Sequence, residues 1–268
     1  MAIHINYEGR TGNALFQYCF ARLISEHNEI DLITNFPDQN IIKTTNHKKY
    51  NSISNNESYI IDDRFYHDFR LKNGSSVPKL DKNKSYVISG YFQDADLLNE
   101  NLDLVKSFFE IPSLEINECD TYIHIRLADF IHAGFDSEIL HFDWYNSLVS
   151  NMPGAKIISI YNDINWVNEL QKNKYLSKLD FNYEIINSLG PIKDFEKHLS
   201  YKNVVCSNST FSWWCAFLGS AENIRTPSWF GYKGVNNIVS HGIHINNLWN
   251  IKNKSIKSDN KFIDINQL

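Results

Sequence analysis

The sequence predicts an α/β fold with parallel sheets, and two observations carry that prediction. Short apolar, strand-like runs recur along the chain, and several of them alternate with helical patterns. This alternation is typical of parallel strands whose faces are covered by helices. Hydrophobic residues make up 43% of the 268 residues, which is enough for one large core or two small ones.

The predicted elements follow one another along the chain. Strands are predicted at residues 3–7, 30–34, 86–89, 122–126, 156–161, 183–187, 203–206 and 224–227. Helices are predicted at residues 14–25, 95–109, 144–151, 166–173 and 211–219. Residues 35–56 and 72–84 are polar and predict surface loops, and the tail at 251–261 predicts an appended element or a mobile end. The Ile111-Pro112-Ser113 segment predicts a boundary between domains 1–115 and 116–268.

Composition argues against several classes of protein. The net charge of −5 and the pI of about 6.0 argue against broad nucleic-acid binding, which usually shows a basic footprint. No apolar stretch approaches the roughly 20 residues of a membrane span, and the first residues do not resemble a signal peptide. The four cysteines have no paired CxxC spacing, so we expect free thiols in a reducing cytoplasm.

The segment Ser207-Asn208-Ser209-Thr210-Phe211-Ser212-Trp213-Trp214 is the most informative motif. It follows the predicted strand 203–206 and opens the predicted helix 211–219, so backbone N–H groups and hydroxyls meet at a helix N-terminus. The amides of a first turn have no intrahelical partner and the helix dipole favours negative charge, which suits an anion. The alternative is an ordinary N-cap, in which Ser209 or Thr210 merely starts the helix.

The second motif is His124-Ile125-Arg126-Leu127-Ala128-Asp129, at the end of the predicted strand 122–126. Strand alternation predicts that His124 and Arg126 project from one face and Ile125 from the other. An arginine at the carboxyl end of a strand can reach the crevice where open α/β sheets bind ligands, and its planar fork suits a diphosphate. The alternative is a surface ion pair between Arg126 and Asp129.

Together these motifs resemble those of the bacterial α-1,2-fucosyltransferases of glycosyltransferase family 11. The family's Gly-x-x-Gly-Asn…Phe-Gln-Tyr start appears here from Gly9 to Tyr18, ahead of the two motifs above. Shorter matches in the family's order are Gly90-Tyr91-Phe92-Gln93, Asn162-Asp163-Ile164-Asn165-Trp166, Asp194 and Pro227-Ser228-Trp229-Phe230. The chain departs from the pattern at Ala14, Leu127 and Ala128, where the family has glutamine, arginine and glycine.

The resemblance implies a GT-B-like fold, in which two Rossmann-like lobes face a donor cleft. Residues 1–115 would form the N-terminal lobe on the acceptor side, and 116–268 the nucleotide-sugar-binding lobe with a C-terminal tail. It implies inverting transfer of L-fucose from GDP-fucose to a hydroxyl of a surface-glycan or oligosaccharide acceptor, with galactose O2 and an α-1,2 linkage expected. The expected location is the cytoplasm, in peripheral contact with a lipid-linked glycan at the inner face of the membrane.

The resemblance also implies roles for individual residues. Arg126 would hold the β-phosphate, while His124 and Asp194 would contact guanine, whose N1–H and N2–H suit a carboxylate. Gly12 and Asn13 would approach the donor from the first lobe. The remaining residues expected to bind the donor form the segment Asn208, Ser209, Thr210, Phe211 and Ser212.

Asp129 matches the family's carboxylate and is the predicted catalytic base, although it could instead orient Arg126. His132, Asp136 and Glu138 follow in a polar loop and are alternatives, because a base must first lie within hydrogen-bonding reach of the acceptor. No metal is expected. Asp94-Ala95-Asp96 is interpreted as a helix start, and Arg126 with the amides and hydroxyls of the helix N-terminus would stabilise the leaving group.

Two further interpretations stay open. The same fold could use a different nucleotide sugar, because Leu127 and Ala128 replace motif residues expected near the sugar-phosphate. If Leu127 only weakens catalysis on GDP-fucose, Leu127→Arg should tighten GDP binding and raise turnover. The chain could also be a catalytically silent glycan- or nucleotide-binding protein, against which the retention of Arg126, Asp129 and residues 209–214 argues.

Overall fold

The computed structural model describes residues 1–50, 57–74, 76–127, 139–160, 169–227, 251–252, 254, 256–258 and 262–263. These residues form two compact units, one from Met1 to Ile111 and the other beginning at Pro112. Both units are α/β with parallel sheets, as the sequence predicts. The roles assigned to lobes 1–115 and 116–268 stay predictions. No helix in the described ranges is both long and apolar enough to cross a membrane.

The first unit is built on a four-stranded parallel sheet. The described residues of this unit form six strands, namely β1 (Ala2–Asn6), β2 (Asp31–Ile33), β3 (Lys43–Thr44), β4 (Ser58–Asp62), β5 (Ser85–Ser89) and β6 (Phe109–Glu110). The sheet has the order β2-β1-β5-β4, while β3 and β6 form a separate antiparallel pair. The helices are α1 (Thr11–Asn28), α2 (Asp63–Asn73), α3 (Ala95–Glu100) and α4 (Leu102–Ser107).

Helix α1 lies at the centre of this unit, because most of its residues are buried. Phe20 stacks on Phe92 with ring centroids 4.0 Å apart. Arg22 is only 4% exposed, and its Nη1 donates to the Tyr18 hydroxyl at 2.7 Å and to the Thr45 carbonyl at 2.9 Å. Such hydrogen bonds offset the cost of removing a charge from water, so Arg22 ties the loop after β3 to α1.

The first unit contains elements that the sequence does not predict. No element is predicted at residues 58–71, where the structure has β4 and most of α2. Among the residues of α2 only Tyr66 is buried, so the helix has little apolar periodicity. The helix predicted at 95–109 is also wrong in extent. It is interrupted at Asn101, whose side chain donates to the Leu97 carbonyl at 2.8 Å, and asparagine competes for the backbone in this way at helix ends.

Asp94 connects α2 to α3 through a buried carboxylate. Its Oδ1 accepts from the amides of Asp96 and Leu97 at 3.0 and 3.2 Å, which makes Asp94 the N-cap of α3. Its Oδ2 accepts from the Tyr66 hydroxyl at 2.8 Å and from Arg70, which also pairs with Asp96. The interpretation of Asp94-Ala95-Asp96 as a helix start is therefore confirmed.

The second unit is built on a six-stranded parallel sheet. The strands of this unit are β7 (Asn117–Ile125), β8 (Ile139–Leu140), β9 (Lys156–Ile160), β10 (Glu184–Asn187), β11 (Tyr201–Val205), β12 (Asn223–Pro227), β13 (Ile256–Ser258) and β14 (Phe262–Ile263). The sheet has the order β10-β9-β7-β11-β12-β13, and β8 pairs with β14 in an antiparallel ribbon. The helices are α5 (Phe142–Val149), α6 (Glu169–Leu176), α7 (Pro191–Leu199) and α8 (Thr210–Leu218).

All eight predicted strands are present, with ends that differ by a few residues. Helix α7 is not predicted from the sequence, although Asp194 is singled out within it. The tail, expected to be mobile or appended, contributes β13 to the main sheet as a parallel neighbour of β12.

Strand β7 lies inside the sheet, and its residues 121–125 are buried without a break. The side chains of Ile123 and Ile125 join a hydrophobic cluster with Trp144 and Tyr145 of α5. Because side chains alternate along a strand, His124 faces the other way, and the predicted alternation is confirmed. Burial of both faces is the usual condition of a parallel sheet.

Leu127 lies in that same cluster, so its side chain packs in the core, and the expectation that this position stands near the sugar-phosphate stays a prediction. Its side chain is fully buried, and the cluster includes Ile125, Leu140 and Trp144. The departure from the family pattern therefore changes core packing. It gives no support to the idea that a cation beside the phosphate has been lost at this position.

The four cysteines are free thiols, as predicted. Cys19, Cys206 and Cys215 are buried, whereas Cys119 is exposed. Burial raises the pKa of the Cys206 thiol to about 12, since an apolar environment disfavours the thiolate. The buried cysteines therefore act as small apolar residues of the core.

We expect Asp94→Asn to destabilise the protein by about 3 kcal/mol, because it removes the buried partner of the Arg70 guanidinium. The matched variant Asp96→Asn alters a carboxylate that is 34% exposed, and such pairs contribute about 1 kcal/mol or less. The measurement is the urea midpoint of each variant beside the wild type. Equal losses of stability in the two variants would contradict this account.

We also expect Leu127→Arg to destabilise the protein by more than about 3 kcal/mol, because the guanidinium enters an apolar cluster without a partner. Leu127→Met keeps the volume nearly constant and should cost less than about 1.5 kcal/mol. Thermal unfolding of both variants tests this. An unchanged midpoint for Leu127→Arg would support the expectation of a site beside the phosphate.

Candidate functional site

Two motifs that are far apart in sequence meet at one edge of the second sheet. Strands β7 and β11 are parallel neighbours, with Val204 beside Tyr122 and Val205 beside Ile123. The residues after Ile125 and after Val205 therefore emerge side by side. The crevice outside the carboxyl ends of parallel strands is where open α/β sheets bind ligands.

His124 is held in place from two sides. It is 5% exposed, and its Nδ1 lies 2.7 Å from the Ser207 hydroxyl oxygen. The Tyr145 hydroxyl of α5 donates to the His124 carbonyl at 3.2 Å. Because Nδ1 is engaged by Ser207, the ring orientation is fixed with respect to the segment after β11.

Arg126 connects the two predicted motifs directly. Its Nη1 donates to the Asn208 carbonyl at 3.2 Å, and its side chain is half-buried. A guanidinium carries five N–H groups in a planar fork, and it stays charged at any ordinary pH. This geometry therefore supplies a fixed cation at the carboxyl end of the sheet, next to the start of α8.

The predicted segment Asn208–Ser212 leads into α8. Ser209 is the N-cap residue, as the alternative of an ordinary N-cap predicts, although its side chain makes no capping hydrogen bond. The amide of Trp213 donates to the Ser209 carbonyl at 3.0 Å, which makes residues 210–212 the first turn. The Ser212 hydroxyl donates to the same carbonyl at 3.0 Å. Its predicted contact with a donor would therefore come from its backbone amide.

Asp194 lies at the start of α7 and borders a cavity of about 530 Å³. Its Oδ2 accepts from the Ser188 hydroxyl at 2.5 Å, and its Oδ1 accepts from the Leu189 amide at 3.2 Å. Burial raises the pKa of the carboxyl, while the Ser188 hydrogen bond opposes that shift. The cavity is also lined by the apolar side chains of Ile186 and Leu189 and by Lys193. The lining also includes the charged side chains of Glu115, Glu196 and Lys197.

An aromatic group surrounds His124. The His198 ring stacks on it at 6.0 Å and lies 4.6 Å from the Tyr122 ring. Phe211, one of the predicted residues, lies 6.1 Å from His124 and makes an edge contact with Phe195 at 5.4 Å. The predicted positions His124 and Phe211 therefore share one aromatic surface.

His198 is a residue that sequence reasoning missed. It is 1% exposed, and neither ring nitrogen has a hydrogen-bond partner in the described part of the chain. Burial, followed by the neighbouring His124, lowers its pKa well below 6.5, so the ring is neutral. Orphaned buried polar atoms are rare in proteins and occur at functional or strained sites. The only available signal was its place one helical turn after Asp194.

The first unit brings together two other family segments. Gly9 has φ +79°, and a Cβ there would lie 2.3 Å from Asn13 Nδ2, so only glycine fits. Gln93 Nε2 donates to Asn13 Oδ1 at 3.0 Å. Asn13 and the buried Gly12 are predicted site residues, whereas Gln93 has no predicted role.

Several predicted residues lie outside the described ranges. They include Asp129, the predicted base, and its alternatives His132, Asp136 and Glu138, so the identity of the base stays a prediction. Ala128 and the family segments 162–166 and 228–230 lie outside those ranges too.

Within the described ranges, no group of three or more His, Cys, Asp or Glu side chains could hold a metal ion. The expectation that no metal is needed stays a prediction.

The chain is similar to proteins of one enzyme family. A sequence model described as "Glycosyl transferase family 11" matches residues 2–228. A curated relative, the O-antigen biosynthesis glycosyltransferase WbnK of Escherichia coli, is 26% identical over 179 residues. The similarity covers 57% of this chain and 58% of that relative, so it spans little more than half of the relative's length. No solved structure matches the chain significantly. Because the family model covers most of its length, the chain belongs to glycosyl transferase family 11.

Proposed function

We propose that this protein is an inverting glycosyltransferase that moves L-fucose from GDP-fucose to a hydroxyl of a glycan acceptor. The expected acceptor position is galactose O2, which gives an α-1,2 linkage. The observation that supports this most is the hydrogen bond from Arg126 to Asn208, because it joins the two motifs on which the predicted donor site depends. The wider proposal includes a GT-B-like arrangement of two Rossmann-like lobes with the donor between them, and this part comes from the family resemblance.

The diphosphate of the donor would bind at the carboxyl end of β7. Arg126 offers a bidentate cation there, and charge-assisted hydrogen bonds of this kind are stronger than neutral ones. The first turn of α8 begins beside Asn208 and contributes backbone amides and the positive end of its dipole. Both features favour a negative group, and they would favour it more as the leaving group gains charge.

Guanine would bind at Asp194. A carboxylate can accept from N1–H and N2–H together, which distinguishes guanine from adenine, uracil and cytosine. Asp194 borders the cavity of about 530 Å³, whose walls include Ile186 and Leu189. Its carboxyl accepts from Ser188 and Leu189, and these contacts would fix its direction. His124, oriented by Ser207, is the second residue proposed to contact the base.

The transfer itself would follow a direct displacement. The acceptor oxygen attacks the anomeric carbon, the bond from that carbon to the phosphate oxygen breaks, and the electron pair leaves with GDP. The acceptor proton would pass to Asp129, the proposed base. Arg126 and the amides of α8 would stabilise the departing GDP without a metal ion.

The acceptor and the location are proposals that rest on the relative and the resemblance. The relative's name refers to O-antigen biosynthesis, which supports a lipid-linked surface-glycan precursor as the acceptor. An enzyme acting on such a precursor would work in the cytoplasm, at the inner face of the membrane.

The alternative of a different nucleotide sugar loses part of its basis. It depended on Leu127 and Ala128, and the Leu127 side chain lies in the hydrophobic core. A catalytically silent binding protein is the second alternative, and hydrolysis of or transfer from any sugar nucleotide by purified protein would eliminate it.

We expect GDP to raise the thermal midpoint more than UDP, CMP or ADP, and to do so in the presence of a chelator. Asp194 and His124 give the reason for the preference for guanine. A ligand at 100 times its Kd stabilises the native state by about 2.7 kcal/mol, which a thermal-shift assay detects. Equal shifts for all four nucleotides, or a GDP shift abolished by EDTA, would contradict the proposal.

IDP provides a matched ligand, because its base lacks only the 2-amino group of guanine. Loss of one hydrogen bond to a charged group costs about 1.5–3 kcal/mol, so IDP should bind at least about tenfold more weakly than GDP. In Asp194→Asn this difference should shrink. An unchanged difference would mean that another residue recognises the 2-amino group.

We expect Arg126→Ala to lower kcat about a hundredfold to a thousandfold with no loss of thermal stability, by analogy with the removal of an oxyanion-hole donor. Arg126→Lys should recover little, because an ammonium cannot reproduce the bidentate fork. Steady-state transfer assays measure this, and Arg64→Ala, at an exposed arginine of α2, is the matched control. Near-normal turnover in Arg126→Ala would reduce Arg126 to a structural partner of Asn208.

A further inference from the structure

The loop between β10 and α7 places an apolar side chain beside the Asp194 carboxylate. Leu189 in this loop is 76% exposed, and it lines the cavity of about 530 Å³ together with Asp194. Its own amide donates to Asp194 Oδ1 at 3.2 Å. A single exposed leucine needs no explanation on a protein surface. This one is informative because a hydrogen bond fixes it next to a buried carboxylate that borders a cavity.

The loop is held by a small network of hydrogen bonds. The Ser188 hydroxyl donates to Asp194 Oδ2 at 2.5 Å and accepts from the Gly190 amide at 3.2 Å. The Asp194 amide in turn donates to the Gly190 carbonyl at 3.0 Å. Gly190 has φ +99°, which favours glycine, and Pro191 has a fixed φ at the start of α7. The backbone of Leu189 is therefore held on both sides, as a precise contact with a substrate requires.

Leu189 is the wall of the cavity with the most apolar surface left in water. The aromatic wall Tyr122 is 1% exposed, and Ile186 is half-buried. Of the charged side chains in the lining, Lys193 and Glu196 pair with each other at 2.7 Å. Burial of apolar surface is favourable roughly in proportion to the area removed from water. A ligand with an apolar face therefore gains most by covering Leu189.

We propose that Leu189 is a specificity-determining residue of the donor site, and that its side chain packs against the face of the purine base of the nucleotide. A base carries hydrogen-bonding groups at its edge and a sequence-independent surface on its faces. Asp194 supplies the edge contact in the proposed function, and Leu189 supplies the face contact, which favours a purine over the smaller pyrimidines. This inference rests on the proposed function for the presence of a guanine nucleotide.

The test measures the Kd of GDP, IDP and UDP for the wild type and for Leu189→Ala. This variant removes the face contact and keeps the backbone amide that bonds to Asp194. It should weaken GDP and IDP by the same factor, about tenfold, the equivalent of about 1.4 kcal/mol. UDP should weaken by less than about twofold. Asp194→Asn should do the reverse and shrink the difference between GDP and IDP. An unchanged Kd of GDP in Leu189→Ala, or a loss confined to GDP, would overturn the proposal.

Leu189→Phe tests the same contact with a larger apolar face. Aromatic side chains stack on bases favourably, and the exposure of Leu189 leaves room for a ring. This variant should bind GDP and IDP at least as tightly as the wild type. A loss equal to that in Leu189→Ala would mean that the loop, and not apolar contact with the base, controls binding, which also overturns the proposal.

Ile185→Ala is the matched control. Ile185 is 45% exposed in β10, and strand alternation directs its side chain away from the cavity that Ile186 lines. The variant should keep the wild-type Kd values. All these variants should keep the wild-type thermal midpoint without ligand, because substitutions at exposed positions rarely alter stability. A parallel loss of affinity in Ile185→Ala would overturn the specific role of Leu189.

The two proposals fail in different measurements. The preference of the wild type for GDP tests the proposed function, whereas the change of Kd in Leu189→Ala tests the face contact. If the wild type binds another nucleotide more tightly, the GDP proposal fails, and the Leu189 variants are measured with that nucleotide. An unchanged Kd in Leu189→Ala would overturn the role of Leu189 there too.

Discussion

The parallel pairing of β7 with β11 is the constraint on which the candidate donor site depends. It places the chain after Ile125 beside the chain after Val205, so that Arg126 meets Asn208 and His124 meets Ser207. Neither contact involves residues near one another in sequence. Because β7 is buried on both faces, a change of register would expose its apolar side chains and separate these partners together. The register that buries β7 therefore also brings the residues of the candidate site together.

Buried polar side chains of one type can have different roles in this protein, and their contacts show which role each one has. Asp94 is enclosed by Tyr66, Arg70 and the start of α3, so its chemistry is committed to the fold. Asp194 is also hydrogen-bonded, but it borders a cavity. His198 is the reverse case, since it is buried without a hydrogen-bond partner among the described residues. A buried polar group without a partner weakens the fold. The His198 ring stacks on His124, so it packs directly against a residue of the candidate site.

The first unit shows how rigid loops can be built from a few carboxyl and carboxamide groups. Asp63 accepts from two successive amides, and Gln17 bonds to both backbone groups of Glu8. These contacts replace the backbone bonds that a strand or helix would supply, so the loops keep a defined shape at the carboxyl edge of the sheet. Glycine is required at 90 because a Cβ would collide with Asp63, which holds that loop, and at 9 because a Cβ would collide with Asn13.

The sequence by itself determined the α/β class, the eight predicted strands and the family. Strand periodicity and the order of the motifs can both be read directly along the chain. It also singled out His124, Arg126, Asp194 and the segment at the start of α8, whose roles stay predictions. Helix α2 was not predicted because its side chains are polar at most positions. Helix α7 was not predicted either, although its buried Phe195 and Leu199 stand at helical spacing. Only the tertiary structure decided that Leu127 belongs to the core, that His198 stacks on His124 and that Gln93 bonds to Asn13. Each of these depends on contacts between segments that are distant in sequence, and residue periodicity and motif order do not show which of those segments meet.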